Sequence, residues 1–227
     1  GGMNVKTGRD ISDMRCDMGG AAAVVGALDI ITELALKANV VALLPIAENL
    51  PDGGAYLPSH VIEYPNGLSV QVGNTDAEGR LILADALLHA QRLGAEEIID
   101  IATLTGNIVV ALGLNIAGVF GDDDLVRQLV DLGNKTGDRL WHMPLIDEYE
   151  EFIKSNYADL NNTSSSPHGG SIIGALFLRR FVDKGMRWAH IDMAGTMDVK
   201  TARGYYPAGA TGFGVRLLAD YIESQSR

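Results

Sequence analysis

Apolar positions recur along the chain with two spacings, one typical of helices and the other of buried strands. "AAAVVGALDIITELALKA" (Ala21–Ala38) has helical length and periodicity, and a second helix is predicted from about Asp76 to Leu93. Further helices are predicted within "DDLVRQLVDLGNKTG", "DEYEEFIKS", "SIIGALFLRRFVD" and "GVRLLADYIE". Short β-branched runs predict buried strands in "NVVALLPIA", "EEIIDIATLTG", "IAGVFG" and "RWAHIDMAG", and "HVIEY" and "LSVQV" flank the turn "PNG" of a hairpin.

Helices that alternate with nearly continuous apolar strands predict the fold class. We expect an α/β fold with three layers, in which a mostly buried mixed sheet is flanked by helices on both faces. No linker or repeat divides the chain, so residues 1–227 are predicted to form a single domain. Ligands of such sheets bind at the carboxyl ends of strands, where "NTDAEGR", "ATLTG", "DMAGTM" and the approach to "DMGG" fall.

Composition narrows the class of protein. The chain is 47% hydrophobic and 21% charged, which is ordinary for a soluble globular protein, and its net charge of −11 argues against a nucleic-acid partner. Its only cysteine, Cys16, excludes an intrachain disulfide and fits a reducing cytoplasm. The apolar runs are too short or too interrupted for a membrane helix, so no membrane partner is expected.

The stretch "NTDAEGR" admits two interpretations. Thr75 and Glu78 have the spacing of a capping box, in which the threonine accepts a first-turn hydrogen bond and the glutamate reaches back. Alternatively, Asp76, Glu78 and the loop residue Asp17 are ligands of a hard divalent cation, which needs several oxygen atoms. Carboxylates brought together without a cation would repel one another, so a metal is their natural partner. The residues alone leave both interpretations open.

The same stretch, extended to "NTDAEGRLILADAL", closely resembles the signature of the leucyl aminopeptidase family, the cytosolic two-metal exopeptidases of group M17. Six further motifs occur in the family's order and at about its spacing: "GGMNVK", "MRCDMGGAA", "PIAEN", "DIATLTG", "WAHIDMAGT" and "GATGFGVRLL". Together they cover essentially the whole chain. The resemblance implies the C-terminal catalytic domain of such an enzyme.

The resemblance implies a role for each charged residue of the site. Asp17 would bind one metal ion, Asp76 the other, and Glu78 would bridge both. Lys6 matches the catalytic lysine that polarises the scissile carbonyl and steadies the oxyanion. Arg80 matches the arginine that holds a bicarbonate ion, which acts as a general base. On residue type alone, Lys6 is more often a solvated lysine than a catalyst, and the alternative for Arg80 is an ion-pair partner on a helix surface.

A second set of positions would bind the substrate. By resemblance these are Met14, Asn74, Thr103, Leu104, Gly106, Ala194 and Met197. Leu104 would offer backbone contacts, Asn74 would support the metal loop, and the others would line an apolar pocket for a leucine-like N-terminal side chain, with broad tolerance. Met14 and Met197 are equally compatible with plain core packing.

The resemblance also implies cofactors and partners. Two divalent metal ions are expected, Zn²⁺ or Mn²⁺, with Mg²⁺ and Co²⁺ as further options because oxygen ligands discriminate poorly between them. Bicarbonate is expected at Arg80, and the substrates would be peptides. The family is typically a homo-oligomer, a hexamer, in the cytoplasm, and we expect the same here.

Two parts of the family pattern are expected upstream of Gly1, namely an N-terminal domain and the segment that supplies a lysine and an aspartate to the metals. We therefore expect a catalytic domain truncated at its N-terminal edge, which alone binds metal weakly and turns over little. A natural remnant without activity is the other explanation. The predicted function is release of N-terminal amino acids from peptides by a metal-activated water. The alternatives are a non-catalytic assembly or binding module with the same fold, or another dinuclear hydrolase such as a phosphatase.

Overall fold

The computed structural model describes residues 12–226, except for the side chain of Asp13. Lys6, the predicted catalytic lysine, lies outside the described residues. The helices of the described part are α1 (Gly19–Glu33), α2 (Gly79–Arg92), α3 (Gly106–Leu112), α4 (Asp123–Thr136), α5 (Gly170–Arg179) and α6 (Val215–Gln225). Two 3₁₀ helices span Ser12–Met18 and Asp147–Ile153.

The strands of the described part are short. They are β1 (Val61–Glu63), β2 (Ser69–Gln71), β3 (Glu97–Ala102), β4 (Ala117–Gly121), β5 (Leu140–His142), β6 (Leu160–Asn161), β7 (Arg187–Asp192), β8 (Asp198–Val199) and β9 (Gly209–Ala210). They belong to two compact units. Of the described residues, the first contains 12–13, Pro45–Glu96 and Leu145–Met186, and the second contains Met14–Leu44, Glu97–Pro144 and 187–226. The prediction of a single domain stays a prediction.

The second unit is built on a mixed four-stranded sheet. Its strand order is β3-β7-β4-β5. β3 and β7 run parallel, as do β4 and β5, whereas β4 and β7 are antiparallel. This is the mixed sheet that the alternating helices and strands predict, and the fold is α/β.

Helices cover both faces of this sheet. On one face, Val119 and Ile191 belong to a buried apolar cluster together with Ala23 of α1, Leu125 of α4 and Leu217 of α6. Strand residues alternate between faces, so Gly118 points the other way, and a side chain there would collide with Ile108 of α3. The prediction that helices flank both faces of the sheet is therefore confirmed.

The opposite face of the same sheet contains a buried polar group of side chains. His190 Nδ1 of β7 lies 2.5 Å from Asp100 Oδ1 of β3, and the Trp188 indole N–H donates to Asp100 Oδ2 over 2.8 Å. His190 also stacks on Phe120, with ring centroids 5.9 Å apart. Asp100 and Phe120 thus engage the Nδ1 atom and one ring face of a histidine that is completely buried.

The first unit contains a second, smaller sheet in the order β1-β2-β6. β1 and β2 pair antiparallel, which confirms the predicted hairpin, and β6 pairs parallel with β2. Tyr64 fastens this hairpin to the helices, since its hydroxyl donates to the Leu81 carbonyl of α2 over 3.0 Å. Its ring also packs on Phe181, with centroids 4.7 Å apart.

Some predicted elements are wrong in place or in kind. The predicted strand in "NVVALLPIA" is absent, since residues 39–47 are described as neither helix nor strand, and Val41 and Ile46 are 65% and 63% exposed. The helix predicted for Ala21–Ala38 runs instead over Gly19–Glu33, and Ala35 just beyond it has a left-handed backbone with φ 49°. Helix α3 and strands β5, β6, β8 and β9 were not predicted. Among the described residues, no helix has the length and apolarity needed to cross a membrane.

Candidate active site

The loop between β2 and α2 carries the acidic motif, and its geometry replaces the predicted capping box. Helix α2 begins at Gly79, so the N-cap position is Glu78, and its side chain makes no capping bond. Thr75 therefore lies outside the helix start, and the capping-box interpretation is wrong. Instead the side-chain oxygen of Asn74 accepts the backbone N–H of Asp76 over 2.9 Å, and the Asn74 carbonyl accepts from Ala77 over 3.2 Å.

Asn162, which the sequence did not reveal as a site residue, binds the backbone of this loop through its side chain. It lies directly after β6, its side chain is 0% exposed, and it hydrogen-bonds to backbone groups of Gly73, Asn74 and Ala77. No local pattern in "LNNTSSSP" marks it, because the loop it holds lies more than 80 residues earlier in the chain. Only the pairing of β6 with β2 brings the two segments together.

Glu78 and Arg80 are both partly buried at the start of α2. The Arg80 guanidinium carbon lies 5.8 Å from the ring centroid of Phe177, a geometry that fixes a cation over an aromatic face. Burial first, and then the negative charge of Glu78, raise the pKa of Tyr56. The negative charge of Glu78 therefore acts on the phenol of Tyr56. Two residues after Glu78, the guanidinium of Arg80 packs over the ring of Phe177.

Asp17 lies at the end of the first 3₁₀ helix, immediately before α1. The Thr103 hydroxyl, in the loop after β3, lies 2.5 Å from Asp17 Oδ1 and 2.9 Å from the Asp17 carbonyl oxygen. α1 approaches β3 closely at Gly20, where any side chain would collide with the Ile101 carbonyl. The loop after β3 and the start of α1 therefore meet, and they bring a predicted metal ligand next to a predicted pocket residue.

Other predicted pocket residues also gather at this end of the sheet. A side chain on Gly19 would lie 3.3 Å from Thr103 Cγ2 and 3.4 Å from Met197 Cβ, so these two residues flank the same glycine. Gly106 opens α3, whose N-cap residue Thr105 accepts from the Ile108 N–H. The side chain of Met14 is 37% exposed. Its place in a pocket stays a prediction.

Asp192, at the end of β7, organises two of these loops and was also missed from the sequence. Its Oδ2 accepts the Thr105 hydroxyl over 2.6 Å, and its Oδ1 accepts N–H groups of Leu104 at 3.1 Å, Thr105 at 3.3 Å and Ala194 at 3.4 Å. Burial raises the pKa of Asp192, and the charge of His190 acts in the opposite direction. The predicted substrate residues Leu104 and Ala194 are thus held by one carboxylate.

The predicted metal ligands are side chains of a type that binds divalent cations. Asp17 and Asp76 are exposed carboxylates, Glu78 is a partly buried one, and such oxygen ligands suit hard cations. Asp17 belongs to the second unit, whereas Asp76 and Glu78 belong to the first. Over residues 12–226, no three His, Cys, Asp or Glu side chains converge as a metal site.

The comparisons with known proteins decide the family. A family profile described as "Cytosol aminopeptidase family, catalytic domain" matches residues 1–219. The chain belongs to the cytosol aminopeptidase family. It is 50% identical over 228 residues to a "Probable cytosol aminopeptidase" of Geobacter sulfurreducens, covering 100% of this chain and 46% of that protein. A protein of the same description from Chlorobium limicola is 45% identical, with 100% and 45% covered.

A solved structure agrees with the family assignment. A tomato leucine aminopeptidase mutant, K354E, superposes with a TM-score of 0.85 at 43% identity, covering 93% of this chain and 41% of that one. The fold predicted by the family resemblance is therefore confirmed. The chain spans about half the length of the curated relatives it matches.

Proposed function

We propose that this chain provides the catalytic residues of a metal-dependent aminopeptidase that releases N-terminal amino acids from peptides. The observation that carries the proposal is the family match over residues 1–219, together with the intact acidic motif of Asp76, Glu78 and Arg80. The names of the relatives point to the same class of activity. Zn²⁺, Mn²⁺, Mg²⁺ and Co²⁺ are all candidates for the metal, because oxygen ligands discriminate poorly between them.

Asp17, Asp76 and Glu78 would serve as ligands of the two divalent ions. When bound, the ions supply Lewis acidity that polarises the carbonyl under attack and lowers the pKa of the attacking water. Thr103 is placed to orient Asp17, and the Asn74 side chain is placed to shape the backbone at Asp76. Both interactions fix carboxylate ligands through their neighbours, as ligands in metal sites commonly are.

Lys6 and Arg80 would handle charge during the reaction. The Lys6 ammonium stabilises negative charge that develops on the carbonyl oxygen, where a fixed positive charge is most effective. Arg80, seated over Phe177, would hold bicarbonate by two parallel N–H donors and thereby place a general base at the site. Bicarbonate held there would supply a group able to accept a proton during the reaction.

Substrate binding would use the loops that Asp192 holds. Because the Leu104 N–H donates to Asp192, this carboxylate would fix the backbone of Leu104, which would offer backbone contacts to the peptide. Thr103, Gly106, Ala194, Met197 and Met14 would surround the first side chain with apolar atoms, in keeping with leucine-like and broadly tolerated residues. Hexameric assembly and a cytoplasmic location are part of the same proposal, on family resemblance.

The test is divalent metal titration of the protein that carries this sequence, with Asp76→Ala as the control. The protein that carries this sequence is expected to bind Mn²⁺ or Zn²⁺ and to hydrolyse leucyl p-nitroanilide, whereas residues 1–227 alone are expected to bind metal weakly and turn over little. The variant is expected to lose both binding and hydrolysis. Equal binding and hydrolysis by the two would refute the assignment of the acidic motif. Binding of peptide by a protein that never hydrolyses it would favour the non-catalytic module instead.

A further inference from the structure

Asn162 uses every hydrogen-bonding position of its side chain on the acidic loop. Its Oδ1 accepts the backbone N–H of Gly73 over 2.8 Å and that of Asn74 over 3.1 Å. Its Nδ2 donates to the carbonyl oxygens of Asn74, at 2.7 Å, and Ala77, at 3.2 Å. A side-chain amide has one acceptor oxygen with two lone pairs and two N–H donors, so four bonds is its full capacity.

The four bonds hold residues 73–77, a segment that includes Asp76 and ends next to Glu78. They begin at Gly73 and end at Ala77, the residue between Asp76 and Glu78. Asn74 extends the contact, since its own side chain accepts the Asp76 N–H. The backbone at Gly73 packs tightly against the segment after β6, because a side chain on Gly73 would collide with Asn161 and Thr163.

Asn162 is itself firmly fixed. Its backbone N–H donates to the Gln71 carbonyl over 3.0 Å and so continues the pairing of β6 with β2. Its side chain is 0% exposed, so water does not compete for its bonds. The loop is therefore tied to the sheet by a rigid and uncharged group.

An uncharged group matters beside two carboxylates. A lysine or arginine in this place would pair with Asp76 or Glu78 and compete with a cation, whereas an aspartate would add to their repulsion. An amide holds the backbone in shape and adds no charge of its own to the loop. Groups that orient metal ligands typically change metal affinity by about 10–100-fold when they are removed.

We propose that Asn162 is a positioning residue that holds the loop of Asp76 and Glu78 in its metal-receptive conformation. The proposal rests on the proposed function. Asn162 does not touch the metal or the substrate itself. Its effect on them passes through the backbone of residues 73–77.

The experiment is Mn²⁺ titration of the full chain, followed by the electron paramagnetic resonance signal of free Mn²⁺. Asn162→Asp keeps the acceptor and removes the donors, and Asn162→Ala removes both. We expect the dissociation constant to rise about tenfold or more in Asn162→Ala, and to rise also in Asn162→Asp. Leu160→Ala is the matched control, because it opens a cavity on the same strand without touching the loop. It should lower the melting temperature and leave the dissociation constant unchanged.

Amide hydrogen exchange of metal-free protein gives a second readout. The N–H groups of Gly73 and Asn74 should exchange faster in Asn162→Ala, which removes their acceptor, and at the wild-type rate in Leu160→Ala. Unchanged Mn²⁺ affinity in the folded variants would overturn the proposal, and so would failure of both variants to fold, since Asn162 would then serve the fold itself. If the wild-type chain binds no Mn²⁺ while exchange still changes as expected, the loop anchor stands and the proposed metal function falls.

Discussion

The Thr103 hydroxyl contacts Asp17 twice, at 2.5 Å from the carboxylate Oδ1 and at 2.9 Å from the backbone carbonyl oxygen. This contact joins the loop after β3 to the residue predicted to bind one metal ion. Thr103 is predicted from the family resemblance to line the substrate pocket, and its methyl group is free to do so while the hydroxyl orients Asp17. The two roles belong to different atoms of one side chain, and substitution can separate them.

Thr103→Val removes the hydroxyl at nearly constant shape, and Thr103→Ser keeps the hydroxyl but removes the methyl group. We expect Thr103→Val to weaken Mn²⁺ binding by about tenfold, because Asp17 loses the donor that orients it. Thr103→Ser should bind Mn²⁺ like the wild type and alter only the preference for the N-terminal residue. Calorimetric titration measures the affinity. A serine variant as weak as the valine variant would show that the methyl group, not the hydroxyl, matters for the metal.

Asp192 should make stability depend on pH in an unusual direction. Burial raises its pKa above the value of 3.8 for an exposed aspartate, so the folded state favours the protonated form. Stability is therefore greatest below the unfolded pKa and falls as pH rises from there through the raised folded pKa. Asp192→Asn cannot ionise, and its free energy of unfolding should be flatter over this window in urea titrations at successive pH values.

Asp159 provides a control of opposite sign. Hydrogen bonds from the Ser69 hydroxyl and N–H lower the pKa of Asp159, so its contribution is present above the unfolded pKa and is lost as pH falls through the lowered one. In the wild type, Asp159 should make the free energy of unfolding rise with pH over this range, and Asp159→Asn should remove that contribution. Identical pH profiles for the wild type and Asp192→Asn would contradict the role of burial at Asp192.

Gly20 should tolerate no side chain. A Cβ atom there would collide with the Ile101 carbonyl and touch Ala102, which are backbone atoms that cannot turn away. Gly20→Ala should force α1 from β3 and lower the free energy of unfolding by about 1–3 kcal/mol. A side chain on Gly53 would meet nothing within 4 Å, so Gly53→Ala should be nearly neutral in the same urea titration. Equal midpoints for the two variants would contradict the close approach.

Arg80 should make hydrolysis sensitive to bicarbonate. Arg80→Met keeps an unbranched chain against Phe177 but removes the charge that would bind the anion. We expect a lower kcat for leucyl p-nitroanilide and no response to added bicarbonate. Arg92→Met, at the exposed end of α2, is the control and should respond like the wild type. A normal bicarbonate response from Arg80→Met would place the anion elsewhere.

The sequence predicted the α/β class, the hairpin and most of the long elements because their apolar patterns are local. It failed at residues 39–47, where a β-branched run was interpreted as a buried strand. Val41 and Ile46 are instead largely exposed, without strand pairing. A strand needs a neighbour to accept its hydrogen bonds, and local composition does not reveal whether one is present.

The residues of the candidate site also divide into those that a local motif reveals and those that depend on distant contacts. Asp17, Asp76, Glu78 and Arg80 could be named because they lie in contiguous motifs. Asn162 and Asp192 could not, since each acts on a loop nearly 90 residues away in the chain. Such contacts depend on strand pairing, and β6, which carries Asn162 into place, has only two residues and no recognisable pattern.

The most direct test of the account is hydrolysis of leucyl p-nitroanilide by the protein that carries this sequence, after removal of metal and then with Mn²⁺ restored. We predict no activity without metal, recovery with Mn²⁺, no cleavage of the N-acetylated substrate, and loss of activity in Asp76→Ala. Activity that survives both chelation and Asp76→Ala would contradict the assignment of a metal-dependent aminopeptidase.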